Sequence, residues 1–205
     1  MTPAAQPLTR EQILAAAKDA LRRYGPAKTT VVDVAQMLGV SHGTVYRHFP
    51  TKAALRAAVV REGLEAVSRD LGVIAEEQGP AVDRLHRWLG TLVSWKQGYA
   101  REDPELFETY HQISSADPGA VEEHVSALAE QITAILRDGV AAGEIRASAL
   151  EAGGKAVLDA TARFHNPSHV TEWSSPEIDE DFAAVWRLLV LGIERPREAE
   201  PIPGA

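Results

Sequence analysis

Apolar residues recur every three or four positions along most of this 205-residue chain, which is the spacing of helices with one buried face. Capping residues, glycines and prolines divide that pattern into about nine predicted helices. We find no stretch of four to eight residues that alternates apolar and polar side chains with β-branched enrichment, the pattern of a half-buried strand. The sequence therefore predicts an all-α fold.

Local signals set the helix boundaries in the first half of the chain. Thr9-Arg-Glu-Gln12 is a capping-box pattern that opens the first predicted helix, and Gly25-Pro26 closes it. A capping threonine then precedes a long helix that runs from Lys52 to about Glu77. Gly63 and Gly72 lie inside this long helix, and each is expected to let it bend.

Similar signals organise the second half. Prolines at positions 80, 104 and 118 mark three consecutive helix starts, since proline is tolerated in the first turn of a helix. Ser148-Ala-Leu-Glu151 is a capping-box pattern that predicts a helix ending near His165. A loop from Ser168 to Ser174 is expected next, and it leads to a last helix from Pro176 to about Glu194.

The segment Thr30–Phe49 predicts two short helices joined by a tight turn. Thr30 caps the first helix with Asp33 as its capping-box partner, and Gly39 ends it because glycine tolerates the left-handed conformation just past a helix. Ser41 caps the second helix, which buries two apolar residues. The outward side chains of this second helix are hydroxylic, aromatic or basic: His42, Thr44, Tyr46, Arg47 and His48. Such a surface is typical of DNA-contacting proteins, so the segment is interpreted as a helix-turn-helix.

The charge distribution supports a DNA-binding head. The whole chain has a net charge of −8, but residues 1–56 hold 8 Lys/Arg against 3 Asp/Glu, a net of +5, and the remainder holds 13 against 26, a net of −13. A basic segment on an acidic chain concentrates phosphate affinity in one place. The absence of cysteine excludes disulfides and thiolate sites. No secretory signal or membrane-length apolar run is visible, so we expect a soluble cytoplasmic protein.

The helix-turn-helix and the residues after it resemble the DNA-binding domain of TetR-type (tetracycline-repressor-like) transcriptional regulators. The resemblance rests on the pattern Ala35-x3-Gly39-Val40-Ser41-x-Gly43-Thr44-Val45-Tyr46-Arg47-His48-Phe49-Pro50-x-Lys52-x2-Leu55. It implies a DNA-binding domain over residues 7–67, with its motif at 30–49, and a helical ligand-binding and dimerisation domain over 68–195. Residues 196–205, rich in proline and glutamate, are predicted to form a disordered tail.

The function that this resemblance implies is a ligand-released repressor, acting as a homodimer on a palindromic operator in double-stranded DNA. The expected DNA-binding residues are Thr30, Ser41, His42, Gly43, Thr44, Tyr46, Arg47, His48 and Lys52. Thr44 suits a base contact, while Tyr46, His48 and Lys52 suit phosphates. For Arg47, a guanine contact and simple solvation are equally open.

Aromatic residues on consecutive helices suggest where an effector binds. Apolar residues at helical spacing are usually packed core, but buried Trp and Tyr need partners for their polar atoms, which favours a cavity wall. The resemblance implies a pocket among these helices for a small apolar or aromatic effector. Its predicted lining is Trp88, Leu92, Trp95, Tyr99, Phe107, Tyr110 and His111, with Phe164 and Trp173 as further candidates.

Dimerisation is predicted through the last two long helices. Small residues on one of them permit close helix approach, and apolar residues on the other supply area to bury. The predicted interface is Gly153, Gly154, Ala156, Ala160, Trp186, Leu189, Val190 and Ile193. The alternative is that these faces close the core of a monomer.

Other classes of function have less support. A metal site built from His165, His169 and Glu172 is conceivable, as is one built from the Glu108-x-x-His111 pair, but neither supplies a complete ligand set. We therefore predict no metal and no cofactor. No phosphate-binding loop, nucleophile elbow or zinc-protease motif is present, so catalysis is not expected. A pure interaction protein is the third alternative, favoured only if no small molecule binds.

Overall fold

A computed structural model describes residues 8–115 and 118–195, and within these ranges it confirms the all-α prediction. The described part holds nine α-helices and one 3₁₀ helix. Their bounds are α1 Arg10–Lys28, α2 Val31–Met37, α3 His42–His48, α4 Lys52–Glu76, α5 Ala81–Glu102, α6 Pro104–Ser115, α7 Pro118–Ala141, α8 Ala147–His165, the 3₁₀ helix Pro167–Glu172 and α9 Ile178–Ile193. The tail predicted to be disordered, 196–205, lies outside the described residues. No described helix is both long and apolar enough to cross a bilayer.

The predicted start of α1 is confirmed in detail. The Gln12 backbone N–H donates to Thr9 Oγ1 at 3.3 Å, and the Thr9 N–H donates to Gln12 Oε1 at 2.9 Å. Gly25 does not end the helical segment but bends it, because this glycine has a φ of +71° inside the segment. The buried Thr29 stabilises the bend, donating its hydroxyl to the carbonyl oxygens of Gly25 at 2.7 Å and Ala20 at 3.0 Å.

The described residues form two compact units, and the first comprises residues 8–67, 98–115 and 118–124. Its core joins apolar faces of α1, α2 and α3 to the first part of α4 and to Leu106 of α6. Helix α6 is tied to α1 at the surface as well, since Arg22 Nε donates to Asp103 Oδ2 at 2.6 Å. The segment around α6 therefore shares a hydrophobic core with the helix-turn-helix, although more than 40 residues separate them in sequence.

The second unit comprises residues 68–97 and 125–195 of the described part. Its fully buried side chains include Leu85 and Trp88 of α5, Ile132 and Leu136 of α7, and Phe164 of α8. Arg84 closes the junction between α4 and α5 with three hydrogen bonds from its buried guanidinium. They run to the carbonyl oxygens of residues 75 and 77 at 3.0 and 2.7 Å, and to a carboxylate oxygen of residue 138 at 2.9 Å.

Two local predictions in the second unit are wrong. Helix α8 begins at Ala147, and its N-cap is Arg146 without a side-chain cap, so Ser148 does not open a capping box. Arg146 is held instead by its own N–H and Nε, which donate to carbonyl oxygens at the end of α9 at 2.9 and 2.8 Å. The segment expected as a loop after α8 forms the 3₁₀ helix, because Asn166 caps it through the Ser168 N–H and Pro167 fits its first turn.

The expected bends in α4 are also wrong. The helix is continuous from Lys52 to Glu76, and neither of its glycines has a positive φ. A Cβ on Gly63 would lie 2.8 Å from Cε1 of Tyr110, and one on Gly72 would lie 3.4 Å from Nε2 of Gln131. The missing side chains thus make room for neighbours that pack against α4.

Candidate functional site

The helix-turn-helix forms as predicted, and each of its helices begins with a side-chain cap. The Asp33 N–H donates to Thr30 Oγ1 at 3.2 Å, while the Thr30 hydroxyl and N–H both donate to Asp33 Oδ2 at 2.7 Å. These hydrogen bonds from Thr30 keep the pKa of Asp33 below its usual value. In the second helix the Thr44 N–H donates to Ser41 Oγ at 3.3 Å. Gly39, in the turn between the helices, has a φ of +66°.

One face of α3 is anchored and the other faces solvent. Val45 and Phe49 are buried in the core of the first unit, and the Arg10 guanidinium of α1 lies 5.0 Å from the centre of the Phe49 ring. Tyr46 is 42% exposed, and its ring meets that of His42 edge-on with centroids 6.4 Å apart. Thr44 is half-buried, while the remaining predicted contact residues on α3 are exposed: Gly43, Arg47 and His48. The outward side of α3 therefore carries basic, aromatic and hydroxyl groups.

Lys52, at the start of α4, adds a cation near the end of α1. Its Nζ donates to the Ala27 carbonyl oxygen at 3.1 Å, so this lysine also holds the corner between α1 and α4. Burial and then the charge of Arg56 lower the pKa of Lys52. Sequence reasoning missed Arg56, whose Nε and Nη2 are buried without a hydrogen-bond partner among the described residues. The available signal was an arginine one helical turn after Lys52, the first residue of α4.

Four residues of the predicted effector pocket belong to the first unit. Tyr99, Phe107 and Tyr110 meet edge-on, with the Tyr99 centroid 6.1 Å from Phe107 and 5.7 Å from Tyr110. Burial raises the pKa of both tyrosines, that of Tyr110 to about 12, and their hydroxyls are hydrogen-bonded to each other. The fourth residue, His111, is half-buried on the same helix as Tyr110.

The other three residues of that predicted set belong to the second unit. Trp88 and Leu92 are completely buried, and the Trp88 indole N–H donates to Gln131 Oε1 at 3.0 Å. Trp95 is half-buried, with the ammonium of Lys96 5.7 Å from its ring centre. The predicted set is thus divided between the two units, with Tyr99, Phe107, Tyr110 and His111 in the first and Trp88, Leu92 and Trp95 in the second.

The predicted dimer residues on α8 differ in accessibility. Gly153 has a φ of +77° and breaks the regular helix, while Ala156 and Ala160 are exposed. Gly154 is buried against α7 of the same chain, and its N–H donates to Thr133 Oγ1 at 2.9 Å. The close helix approach at Gly154 is therefore made within the protomer.

The residues on α9 show a similar division. Ile193 is buried, whereas Trp186, Leu189 and Val190 are half-buried, and Trp186 stacks on the His86 ring at 4.7 Å between centroids. Sequence reasoning missed the two most exposed leucines of the helix, Leu188 at 70% and Leu191 at 73% exposure. The signal for them was the uninterrupted apolar run over residues 188–191, since a helix that is apolar on all sides is normally covered on all sides.

The conceivable metal ligands around the end of α8 are engaged in ion pairs. Glu172 accepts from Arg163 Nε and pairs with His169 Nδ1, each at 2.7 Å. Arg163 also binds Asp181 at 2.7 Å, and these partners raise its pKa. The His165 ring turns elsewhere, towards Thr161. Among residues 8–115 and 118–195, no group of three acidic or histidine side chains could hold a metal ion.

Family models match both parts of the chain. The model described as bacterial regulatory proteins, tetR family, matches residues 13–59. The model described as tetracyclin repressor-like, C-terminal domain, matches residues 81–186.

Two curated relatives match parts of the chain. The HTH-type transcriptional regulator TtgR of Pseudomonas putida is 44% identical over 52 residues, which are 25% of this chain and 25% of TtgR. This chain therefore spans about a quarter of that relative. The nucleoid occlusion factor SlmA of Marinobacter nauticus is 30% identical over 143 residues, 69% of this chain and 71% of SlmA.

Solved structures match nearly the whole chain. SmeT, the repressor of the Stenotrophomonas maltophilia multidrug efflux pump SmeDEF, matches with a TM-score of 0.63 and 19% identity over 97% of this chain and 95% of SmeT. A complex of SmeT with triclosan matches with a TM-score of 0.60 and 19% identity, over 95% of this chain and 99% of the other. At these identities the likeness concerns the fold alone.

Proposed function

This chain belongs to the TetR family of DNA-binding transcriptional regulators, and we propose that it is a repressor that a small molecule releases from its operator. The observation that carries the proposal is the solvent-facing side of α3. There His42, Tyr46, Arg47 and His48 project from a helix that two buried side chains hold in place. These groups donate to phosphates and base edges, and no acidic residue interrupts them. The expected partner is double-stranded operator DNA.

A homodimer is part of the proposal because one head contacts few bases. Two heads related by two-fold symmetry bind a palindrome whose half-sites lie about 34–36 Å apart or a multiple of that distance. The exposed leucines of α9, Leu188 and Leu191, support a partner surface here, since large apolar side chains at 70% and 73% exposure favour being covered. Ala156 and Ala160 of α8 and the other accessible α9 residues complete the proposed surface, while Gly154 and Ile193 serve the core of the protomer.

The effector is proposed to be a small molecule with an apolar or aromatic body. SmeT, which shares the fold, has been solved in a complex with triclosan. In this chain the proposal rests on Trp95, which is half-buried on α5 next to the packed Trp88 and Leu92. The aromatic group on α6 is proposed to respond to the effector, since α6 shares a core with the helix-turn-helix.

Release from DNA is proposed to follow from differential affinity. An effector shifts the protein between two states only by as much as it prefers one of them, and couplings of this kind are typically about 1–3 kcal/mol. Reciprocity then requires that operator DNA weaken effector binding by the same factor. Equal affinity of the effector with and without operator would refute ligand release while leaving DNA binding intact.

The experiment that tests DNA binding is selection of bound fragments from a random double-stranded library, followed by affinity measurements over a series of salt concentrations. Replacing Tyr46 and Lys52 together by alanine should abolish binding to the selected operator and flatten the salt dependence, because two phosphate contacts are lost. Lys155→Ala, which removes an exposed lysine from the second unit, is the matched control and should leave both unchanged. Unchanged binding in the Tyr46/Lys52 double variant would refute the assigned surface.

The relationship to SlmA favours a second candidate function, a role in nucleoid occlusion. In this chain we propose that such a role would use the same DNA-binding head and no effector. Deleting the gene distinguishes the two, since loss of a repressor changes transcription of genes next to its operators, whereas loss of an occlusion factor changes where cells divide relative to the nucleoid.

A further inference from the structure

Lys96 on α5 is a half-buried cation without an acidic partner in the part of the chain that the structure describes. No carboxylate of these residues lies within 4 Å of its Nζ. The other two cationic side chains of the second unit that are buried or half-buried both form ion pairs, Arg84 with Asp138 at 2.9 Å and Arg163 with Glu172 at 2.7 Å. Burial, with no acid to offset it, lowers the pKa of Lys96 to about 8. An unpaired cation in such surroundings is costly, so it suggests a partner supplied from outside the chain.

His165, at the end of α8, is a second polar group at the same place. The Thr161 hydroxyl donates to the Val157 carbonyl oxygen at 2.9 Å, and its oxygen lies 3.2 Å from His165 Nε2. Burial, and then the nearby charge of Lys96, lower the pKa of His165 to about 4, outweighing a hydrogen bond with the backbone of Leu158. The imidazole is therefore neutral near pH 7, and Lys96 supplies the only positive charge of the pair.

The two helices are fastened together beside these groups. Gln97, the residue after Lys96, donates from its buried Nε2 to the carbonyl oxygen of Phe164 at 3.1 Å, and Phe164 directly precedes His165. The half-buried ring of Trp95 lies 5.7 Å from the Lys96 ammonium. An aromatic ring, a cation that has no acidic partner among the described residues, and a neutral imidazole therefore occur together on the second unit.

We propose that the effector carries one anionic group, a carboxylate or sulfonate on an apolar or aromatic body, which Lys96 binds as an ion pair beside His165. In this arrangement the ammonium of Lys96 donates to the anion and Trp95 offers its ring to the apolar body. This inference rests on the proposed effector function and narrows its ligand class from any apolar molecule to an acidic one.

Two fluorescent probes with one ring system test the proposal. Anilinonaphthalene sulfonate carries an anion, and N-phenylnaphthylamine has the same rings without it. In fluorescence titrations of the full-length protein, Lys96→Met should weaken binding of the sulfonate by about ten-fold or more, the loss expected for a hydrogen-bonded charge pair. The same substitution should leave the affinity for the uncharged probe within about two-fold, which also shows that the variant is folded. Lys155→Met, an exposed lysine on α8, is the control and should change neither affinity.

The outcomes distinguish failure of the anion site at Lys96 from failure of the effector pocket itself. If the uncharged probe binds and Lys96→Met leaves the sulfonate affinity unchanged, or weakens both probes equally, the anion site is refuted and the apolar effector remains. If neither probe binds the wild-type protein, the proposed effector pocket itself is overturned, and the anion site with it. Loss of sulfonate binding in Lys155→Met would likewise refute the assignment to Lys96, since it would reveal non-specific attraction.

Discussion

Replacing Gly154 with alanine tests whether the small residues of α8 serve the protomer or the dimer. Gly153 interrupts the regular helix, and the N–H of the next residue, Gly154, donates to Thr133 Oγ1 of α7 at 2.9 Å. The Thr133 hydroxyl donates its own proton to the Ala129 carbonyl oxygen at 2.8 Å. The contact between α7 and α8 thus depends on a backbone-to-backbone approach that only glycine permits.

The magnitude follows from what an added methyl group would meet. A Cβ on Gly154 would overlap the Ala129 carbonyl oxygen and lie 2.9 Å from both Ile132 Cβ and the Thr133 backbone nitrogen. Carbon atoms normally pack at about 3.5–4.0 Å, so the helices must separate by about 1 Å. Two of the three atoms are backbone and cannot rotate away. We expect a loss of about 3 kcal/mol, the upper end of ordinary overpacking, and a fall in melting temperature of about 6–12 °C for a domain of this size.

Thermal unfolding followed by circular dichroism, repeated over a wide range of protein concentration, measures this effect. Gly90→Ala is the matched control: Gly90 lies inside α5 with nothing within 4 Å of the new Cβ, so alanine should raise stability by about 0.5–1 kcal/mol. A loss at Gly154 that is the same at all concentrations places its role within the protomer. A loss confined to high concentrations, or a Gly154→Ala protein as stable as wild type, would refute the packing argument.

Three further predictions concern the caps, the dimer and the response to acid. Ser41→Ala should weaken operator binding and lower the free energy of unfolding by about 1 kcal/mol, whereas Ser41→Gly should lower it by only about 0.3 kcal/mol. If the two variants instead lose operator affinity equally, Ser41 contacts DNA directly and does not act through its cap. In sedimentation velocity, Leu191→Glu should convert the protein to a monomer. Val73 is 65% exposed on α4, and the control Val73→Glu should leave the dimer intact. A monomeric wild-type protein would refute the dimer. Because the pKa of His165 falls from 6.5 unfolded to about 4 folded, only the unfolded state binds this proton between those values. The free energy of unfolding should therefore decline as pH falls from about 6.5 to 4, and in urea titrations His165→Gln should reduce that decline. If the variant shows the same pH dependence as the wild type, the folded protein does not bury His165 as a neutral imidazole.

Much of this protein follows from the sequence because its strongest signals are local. The capping boxes at Thr9 and Thr30, the glycine turn at Gly39 and the cap at Ser41 act over three or four residues, and the structure confirms each of them. The helical periodicity likewise specifies which side of each helix is apolar, and hence the all-α class. The exposed basic and aromatic side of α3 follows from the same periodicity, since Val45 and Phe49 must face inward.

The tertiary structure decided what depends on distant partners. Ser148 has the residues of a capping box, yet Arg146 is held by the end of α9, and this long-range contact determines where α8 begins. Gly63 and Gly72 look like flexible points in isolation, but their role comes from side chains that lie 47 and 59 residues away, Tyr110 and Gln131.

The same reason explains why the sequence did not single out Lys96. Lys96 was indistinguishable from any surface lysine, because the lack of a carboxylate around it among the described residues is a property of the folded neighbourhood and not of the adjacent sequence. Helical periodicity determines which residues share a side of one helix, but it carries no information on which helix covers that side. The sequence alone therefore predicted the helices, the caps at Thr9, Thr30 and Ser41 and the outward side of α3, while the packing of α5, α7, α8 and α9 decided which small, charged and apolar residues serve the core and which stay accessible.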